Sequence, residues 1–351
     1  MKRKRWLAAF CAAVLCAVSA FSAAAADEEV LKSEGYVYIP DRSVYFADVD
    51  ESMSWAYQEI DYLANSRVIS GTGDCRFSPN APLKRADFVL MLYQAYSMSA
   101  YVGGGSFSDV PDNAYYANAL SAARNLGIVY GDSSGLFHPT DPLTRQDAMV
   151  MLRRTLDKTG LQFQSGSLSA FSDAGQVASY ARNDVAALVN AKIISGANGK
   201  LRPTATVSRA EMAIMLYRAL MLEQGAQGPL YVDRDNIVNL CVGSTIYSHV
   251  TIQNAAQGVT YSGLYRCTML RRTDHGYEAT LGEPRELDQE VVWSSGMLLV
   301  NGAPVSVAEG CEAVCIEPYG VIDGLPATGG IYKAAAVSLV NGMAETIYYM
   351  K

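Results

Sequence analysis

Three regimes of hydrophobic patterning divide the chain. Behind Lys2, Arg3, Lys4 and Arg5 an apolar run extends from Trp6 to Phe21. Between residues 45 and 222 the apolar positions recur at helical spacing, which predicts amphipathic helices. Trp55, Ile60, Leu63 and Val68 make one stripe, and Val185, Leu188, Val189 and Ile193 another. Ala148, Met151, Leu152 and Leu156 make a third, and Met212, Met215, Leu216 and Leu220 a fourth. Beyond residue 229 the runs become short or alternating, as strands require. They are Ile237–Val242, Val250–Ile252, Val291–Trp293, Met297–Val300, Val305–Val307, Ala335–Val340 and Ile347–Met350.

Turn and cap residues agree with that division. Asn301-Gly302 and Asn341-Gly342 each separate two apolar runs and predict tight hairpins. Pro304 places its strand at a sheet edge, because proline cannot donate to a ladder. In the helical region Val68-Ile69 runs into Ser70-Gly71, and Gly71, Gly73 and Pro79 turn the chain. Ser208 with Glu211, and Thr144 with Asp147, have capping-box spacing; Lys84 replaces the capping hydroxyl at the corresponding place and weakens that helix start. The stretch from Tyr261 to Glu290 is polar and gives no clear period.

The helical region is one pattern written three times. It opens with Phe46-Ala-Asp48, Phe107-Ser-Asp109 and Phe171-Ser-Asp173, each followed nine positions after the Phe by an aromatic: Trp55, Tyr116 and Tyr180. Gly71, Gly131 and Gly196 come next, then Phe77-Ser-Pro79, Phe137-His-Pro139 and Leu201-Arg-Pro203. Six residues beyond each proline stands an arginine: Arg85, Arg145 and Arg209. Each copy reads as helix, glycine-punctuated loop, helix. One such pair cannot bury its stripe alone, so the three are expected to form a single module.

Composition changes this picture at the N-terminus. The basic residues, the apolar run and Ala23 to Ala26 before Asp27 form the pattern of a secretory signal, residues 1–26, with Ala24-x-Ala26 as cleavage site. The run is short for a membrane span. Phe10 and Leu15 are too bulky, before Cys11 and Cys16, for lipid attachment. Losing the segment's four basic residues takes the formal charge from −7 to −11. An acidic chain with half its residues hydrophobic and 18% charged is neither a nucleic-acid binder nor disordered. The expected product is exported, with no membrane association after cleavage.

The repeated arginine carries the chemistry. If Ser208 and Thr144 are N-caps, Arg209 and Arg145 occupy the first helical position, where the helix dipole disfavours a cation. A negative partner is implied. It is either Asp48, Asp109 or Asp173 of the same or an adjacent repeat, or an external anion held by the guanidinium and free N–H groups of the helix start. Trp55, Tyr116 and Tyr180 either anchor the core or stack on a sugar ring.

FADV…WAYQEI…ISGTGDCRFSPNAPLKRAD, FSDV…YGDSSGLFHPTDPLTRQD and FSDA…ISGANGKLRPTATVSRAE resemble three S-layer homology (SLH) domains. The resemblance covers about half the chain. It implies an all-α-rich, pseudo-threefold helical spindle with ligand grooves between repeats, anchoring a protein to a Gram-positive-type cell wall. The implied partner is an anionic, pyruvylated secondary wall polysaccharide in peptidoglycan-associated form. Arg85, Arg145 and Arg209 would take part in binding. Asp48 with Trp55, Asp109 with Tyr116, and Asp173 with Tyr180 would line the grooves, and Gly71, Gly131 and Gly196 would give close backbone approach. Only the first repeat keeps the family's tryptophan. The Thr-Arg-Ala-Glu motif stands as Lys-Arg-Ala-Asp, Thr-Arg-Gln-Asp and Ser-Arg-Ala-Glu, so the grooves are expected to differ.

The expected organisation is therefore signal 1–26, N-terminal segment 27–44, repeats 45–100, 101–160 and 161–222, linker 223–228, and one β-rich domain 229–351, a small sandwich or partly open barrel. That domain matches no family in this reading. His249 and His275 lack a nucleophile motif. Cys311-x3-Cys315 lacks the second pair of a zinc site with Cys241 and Cys267. Disulfides are expected instead, with Cys75 as the odd thiol. No cofactor, metal or catalysis is expected. The alternatives are a surface-tethered enzyme with its active site in 229–351, marked by a cleft with convergent carboxylates, and an S-layer or assembly component, marked by a flat apolar face. For a chain of charge −11, an anionic partner must be held by local contacts rather than by the bulk field.

Overall fold

A computed structural model describes residues 30–32, 35–104, 107–223, 237–243, 245–273, 276–294, 297–315, 321–322 and 330–349. The expected signal, residues 224–228 of the linker, and His275 lie outside them. The chain divides into two compact units, one of residues 63–70 and 78–228, the other of 23–62, 71–77 and 229–351. The first repeat contributes to both. Six α-helices occur among the described residues: α1 (Tyr57–Asn65), α2 (Arg85–Ala95), α3 (Ala117–Asn125), α4 (Arg145–Thr159), α5 (Arg182–Asn190) and α6 (Arg209–Glu223). Among the described residues no helix is long and apolar enough to cross a membrane.

In the first unit, α2, α4 and α6 each begin at the repeated arginine. The expected boxes cap two of them. Glu211 N–H donates to Ser208 Oγ at 3.2 Å while Ser208 N–H donates to the Glu211 carboxylate at 3.1 Å. Asp147 N–H donates to Thr144 Oγ1 at 3.2 Å. Lys84 provides no side-chain cap, and α2 is 11 residues long where α4 and α6 have 15.

The segments ahead of these helices close a cycle. Leu83 N–H donates to Val207 O at 3.0 Å, Val207 N–H to Leu143 O at 3.0 Å, and Leu143 N–H to Leu83 O at 2.8 Å. All three side chains are fully buried. Each repeat thus satisfies its neighbour's backbone polar groups, and a single repeat would leave them unpaired in an apolar centre, a cost of about 1–3 kcal/mol per group.

Among the described residues the second unit holds twelve strands in two six-stranded sheets. The first contains β1 (Val30–Lys32), β2 (Tyr36–Ile39), β3 (Ile237–Val242), β4 (Thr245–Ile252), β5 (Gly263–Thr273) and β6 (Gly276–Arg285). It closes as the ring β2-β3-β4-β6-β5, with β1 added alongside β5. The second contains β7 (Gln289–Ser294), β8 (Met297–Val300), β9 (Ala303–Cys315), β10 (Val321–Ile322), β11 (Gly330–Val340) and β12 (Met343–Tyr349). It closes as β7-β8-β9-β12-β11, with β10 alongside β9. In both rings the third and fifth strands pair in parallel, β4 with β6 and β9 with β12, and every other pairing is antiparallel. The same connectivity therefore occurs twice.

Two closed barrels stand where one sandwich or partly open barrel was expected. The first barrel takes its opening strand from residues 36–39, inside the segment read as separate, and Tyr38 pairs with Cys241. Each barrel has its own apolar filling, with Val37, Leu240, Val250 and Leu281 in one and Val291, Leu298, Val337 and Ile347 in the other. Leu264, Val314, Ala336 and Tyr348 form a separate apolar cluster, and Tyr348 donates to Tyr36 O at 2.8 Å. Both Asn-Gly pairs make the expected turns, with φ of 50° and 78° at Asn301-Gly302 and 52° and 80° at Asn341-Gly342. Pro304 pairs with Leu299 on one side only, ahead of the β9–β12 pairing that starts at Ser306. Most of the polar stretch 261–290 lies in the long antiparallel β5–β6 pair. Its outward face carries cross-strand partners such as Arg271 and Glu278, joined at 2.8 Å, which hides the period.

Candidate functional site

Arg85 and Arg145 find their carboxylates elsewhere than at the opening aspartates. Arg85 donates from Nε to Phe137 O at 3.0 Å and lies 4.7 Å over the Phe137 ring. Its terminal nitrogen is 3.9 Å from Asp147 Oδ2. Arg145 repeats the arrangement one repeat on, with Nε donating to Leu201 O at 2.9 Å and the terminal nitrogen 3.2 Å from Glu211 Oε2. Arg209 donates to Ser70 O at 2.8 Å. For Arg85 and Arg145 the carboxylate is the residue two positions after the next repeat's arginine, a pairing made across repeats.

Asp48, Asp109 and Asp173 have another task. Phe77 N–H donates to Asp48 at 2.7 Å. Asp109 accepts from Phe137 N–H at 2.9 Å and His138 N–H at 2.7 Å, and Asp173 from Leu201 N–H at 2.8 Å and Arg202 N–H at 2.7 Å. The middle residue of each apolar-x-Pro step, Ser78, His138 or Arg202, is left-handed, with φ of 57°, 59° and 53°. The aspartates thus hold a strained turn within their own repeat. Burial raises the carboxyls of Asp109 and Asp173, but the N–H donors outweigh it and keep both below their usual range.

The loop glycines also serve packing. A Cβ at Gly71 would come within 2.6 Å of Arg76 O, and one at Gly196 within 2.7 Å of the Phe171 ring. At Gly131 the nearest atoms, at 3.0–3.2 Å, include the Phe107 ring. The opening phenylalanine of each repeat lies against its glycine.

The helix starts are not free to receive an anion. Arg85 and Ala86 N–H donate to Asp141 O and Pro139 O at 3.0 and 2.9 Å, and Arg145 and Gln146 to Ala205 O and Pro203 O at 2.9 Å each. Arg209 and Ala210 donate to Ala81 O and Pro79 O at 3.1 and 3.0 Å. This overturns the expectation that free N–H groups at these starts hold the anion: they are spent in the cycle, and recognition falls to side chains.

The aromatics need one correction. Trp55 and Tyr180 are 40% and 57% exposed, so neither anchors the core. Each stands two residues before its helix, α1 or α5. In the second repeat that place belongs to Tyr115, 66% exposed, and Tyr116 is half-buried. The repeat is one residue shorter between Phe107 and α3, so counting from the phenylalanine lands one position late; counting back from the helix start would have found Tyr115. Tyr115 donates to Asp87, and Tyr180 to Asp147 Oδ1 at 2.7 Å. Burial and then the carboxylate hydrogen bond push both phenols up to about 12, so both remain donors.

Two sites follow, each built from all three repeats: Arg209, Asp87 and Tyr115, and Arg85, Asp147 and Tyr180. The cation of one repeat, the carboxylate of the next and the ring of the following one meet in the second of these, and the charge of Arg209 acts on Tyr115 in the first. Arg145 with Glu211 supplies the first two parts of a third. The cross-repeat role of Asp87, Asp147 and Glu211 leaves no local signal: within one repeat each looks like a capping partner or a motif letter.

The fold and these sites define a repeat protein of cyclically linked helix pairs joined to β-barrels. Residues 45–89, 106–149 and 170–213 match the model of the S-layer homology domain, so the chain carries three such domains in tandem. Over 178 residues it is 31% identical to the amylopullulanase of Thermoanaerobacterium thermosulfurigenes, covering 50% of this chain and 9% of that protein. Similarity to exoglucanase XynX of Acetivibrio thermocellus is 29% over 181 residues, covering 51% and 16%. With the surface-layer 125 kDa protein of Lysinibacillus sphaericus it is 30% over 177 residues, covering 49% and 15%. The chain thus spans less than a fifth of each of these relatives.

The cysteines depart from expectation. Cys241, Cys267 and Cys311 are free and buried, and Cys75 is free and exposed. Cys267 belongs to the filling of the first barrel and Cys311 to that of the second, as small apolar side chains, while Cys241 is buried outside the first barrel's filling, where the charge of Asp61 reaches it.

Proposed function

We infer that the chain is an exported cell-surface protein whose three S-layer homology domains bind an anionic, pyruvylated secondary cell-wall polysaccharide non-covalently. The domains act as a pseudo-threefold spindle, and the β-barrels are the displayed part. The chain on this reading attaches and does not catalyse. The observation that carries it is the site of Arg85, Asp147 and Tyr180: a cation and an exposed ring held together at a surface where backbone donors are already used. A guanidinium fork suits a sugar carboxylate, and an exposed tyrosine suits a sugar face. The surface-layer relative supports the same reading.

The test is sedimentation of the chain 27–351 with native cell walls, and with walls stripped of acidic substituents. Binding to native walls alone is expected, and equal sedimentation with both would overturn the reading. A second reading, an S-layer or assembly component with a protein-binding β region, is favoured by the second barrel's outer surface. There Ile331, Met297 and Leu339 are 67%, 56% and 53% exposed.

A further inference from the structure

The opening helix of the first repeat is fastened to the first barrel at three places. Tyr57, at the start of α1, donates its hydroxyl to Pro40 O at 3.0 Å, just beyond β2. One turn on, the Asp61 carboxylate accepts from Ser43 Oγ, from Val44 N–H at 3.0 Å and from Asn239 Nδ2 of β3 at 3.4 Å. Beside it, the Tyr62 ring meets His249 of β4 edge-on, with 6.2 Å between centroids. Asn239 and Cys241 alternate along β3 with Val238 and Leu240, which fill the barrel, so they stand on its outer face. They are nevertheless 1% and 3% exposed. An outer barrel face this enclosed is an interface, and the fully buried Asp61 is what Asn239 meets there.

The other two repeats show that this fastening is an addition to the pattern. Each opening helix has nine residues, so positions compare directly. The places of Tyr57, Asp61 and Tyr62 are taken by Ala117, Ser121 and Ala122 in α3, and by Arg182, Ala186 and Ala187 in α5. In every repeat the middle place receives the chain that enters the repeat. Ser121 Oγ donates to Gly103 O at 2.9 Å and accepts from Gly103 N–H at 3.1 Å. Gly166 lies so close to α5 that a Cβ there would come within 2.1 Å of Ala186 O. Ser43 and Val44 are the entering chain for Asp61. An alanine or a serine suffices for that contact, and a buried carboxylate is costly unless its acceptor capacity is used. Asp61 is therefore explained by the second segment it holds, strand β3. Trp55 stands two residues before α1, 40% exposed between the buried Met53 and Ala56, so its place is set by where α1 is fixed.

We propose that the first barrel is a mount for the first S-layer homology domain, and that Asn239, acting through Asp61, is a positioning residue for Trp55. The barrel then belongs to the attachment machinery and not only to what is displayed. The attachment part rests on the anchoring reading above; the mount does not.

The experiment uses the chain 27–351 carrying Trp293→Phe, which leaves Trp55 as its one tryptophan. Acrylamide quenching of Trp55, hydrogen exchange over residues 43–62 and sedimentation with native walls are read together. Asn239→Asp sets a second carboxylate against the buried one. It should raise Trp55 quenching, lower protection of 43–62 about tenfold, the worth of one buried hydrogen bond, and weaken wall binding several-fold. Protection of 145–159 and 209–223 should stay as it was. Exchanging the two residues, Asp61→Asn with Asn239→Asp, should recover all three readouts. Tyr57→Phe keeps the ring and loses the hydroxyl, and should move them the same way by less. Ser121→Ala, at the same helix position in the second repeat, should leave Trp55 quenching unchanged. Unchanged quenching in both Asn239→Asp and Tyr57→Phe would overturn the proposal. So would protection lost equally over 145–159 and 209–223, which marks general unfolding. Wall binding that survives a loosened 43–62 would overturn the link to attachment with anchoring intact. Failure of the unaltered chain to sediment with walls would overturn the anchoring reading, and the Trp55 response would still decide the mount.

Discussion

Tyr180 donates its hydroxyl to Asp147 across 2.7 Å, joining the opening of the third repeat to the long second helix of the second. The bond is made at the surface, with the ring 57% exposed, so it positions the ring more than it stabilises the fold. Tyr180→Ala should weaken sedimentation with native walls several-fold while lowering the melting temperature by no more than a degree or two. A large loss of stability with unchanged wall binding would show the ring to be structural.

Tyr115 and Tyr116 separate the two ways of counting the second repeat. Tyr115→Ala is expected to reduce wall binding with little change in stability. Tyr116→Ala should reverse the pattern, since that ring is half-buried and braces Tyr115 at 4.8 Å between centroids. Binding isotherms and thermal melts of both variants decide it.

Asp173 holds the left-handed Arg202 through two N–H donors. Asp173→Ala strands both donors and should cost about 1–3 kcal/mol in denaturant unfolding. The carboxyl is depressed in the folded state, so its stabilisation is full above the ordinary carboxylate range. It fades as pH falls through the lower folded value. Unfolding midpoints from pH 5 to 2 should therefore converge for the variant and the natural chain.

Asp61 behaves in the opposite sense. It is fully buried, accepting from Ser43 Oγ, from Val44 N–H at 3.0 Å and from Asn239 at 3.4 Å. Burial outweighs these donors and pushes its carboxyl up to about 7. A raised carboxyl favours the protonated folded state. Its contribution is greatest below about pH 4 and declines as pH rises towards 7. Asp61→Asn should flatten that decline, seen as a smaller difference in melting temperature between pH 4.5 and 7.5. An unchanged difference would place the titration elsewhere.

The cysteines give a chemical check on both barrels. Burial pushes Cys241 up to about 12 and, with smaller help from nearby acids, Cys311 to about 11. Of Cys75, Cys241, Cys267 and Cys311, only Cys75 should be alkylated in the native chain at pH 8, read by peptide mass spectrometry. Modification of the other three should appear only on unfolding.

What could be read without the structure was what is written locally. The phenylalanine, glycine, proline and arginine positions of each repeat, the Ser208–Glu211 box and the two Asn-Gly turns all sit within a few residues of what they determine. The rest depends on distant partners. Arg85 finds Asp147, and Leu83 finds Val207, only when three repeats close on themselves, and nothing in one repeat announces the neighbour's carbonyl. The one-residue shortening ahead of α3 was invisible to a count that began at Phe107. The closure of the strands into two rings was not legible, because each strand's alternation names its inward face and not its partner. The pairing of Tyr38 with Cys241 spans most of the chain.

That last pairing has a consequence for how such a protein is shed. The chain leaves the first barrel after β2 and returns to it at β3, its neighbour in the ring, with all three S-layer homology domains in between. A displayed part hung on one linker is released by one cut. Here a single proteolytic nick anywhere in the excursion leaves the leading fragment laddered to β3 and β5 and the trailing fragment laddered to β2. Release needs a second cut, or the unzipping of a closed barrel.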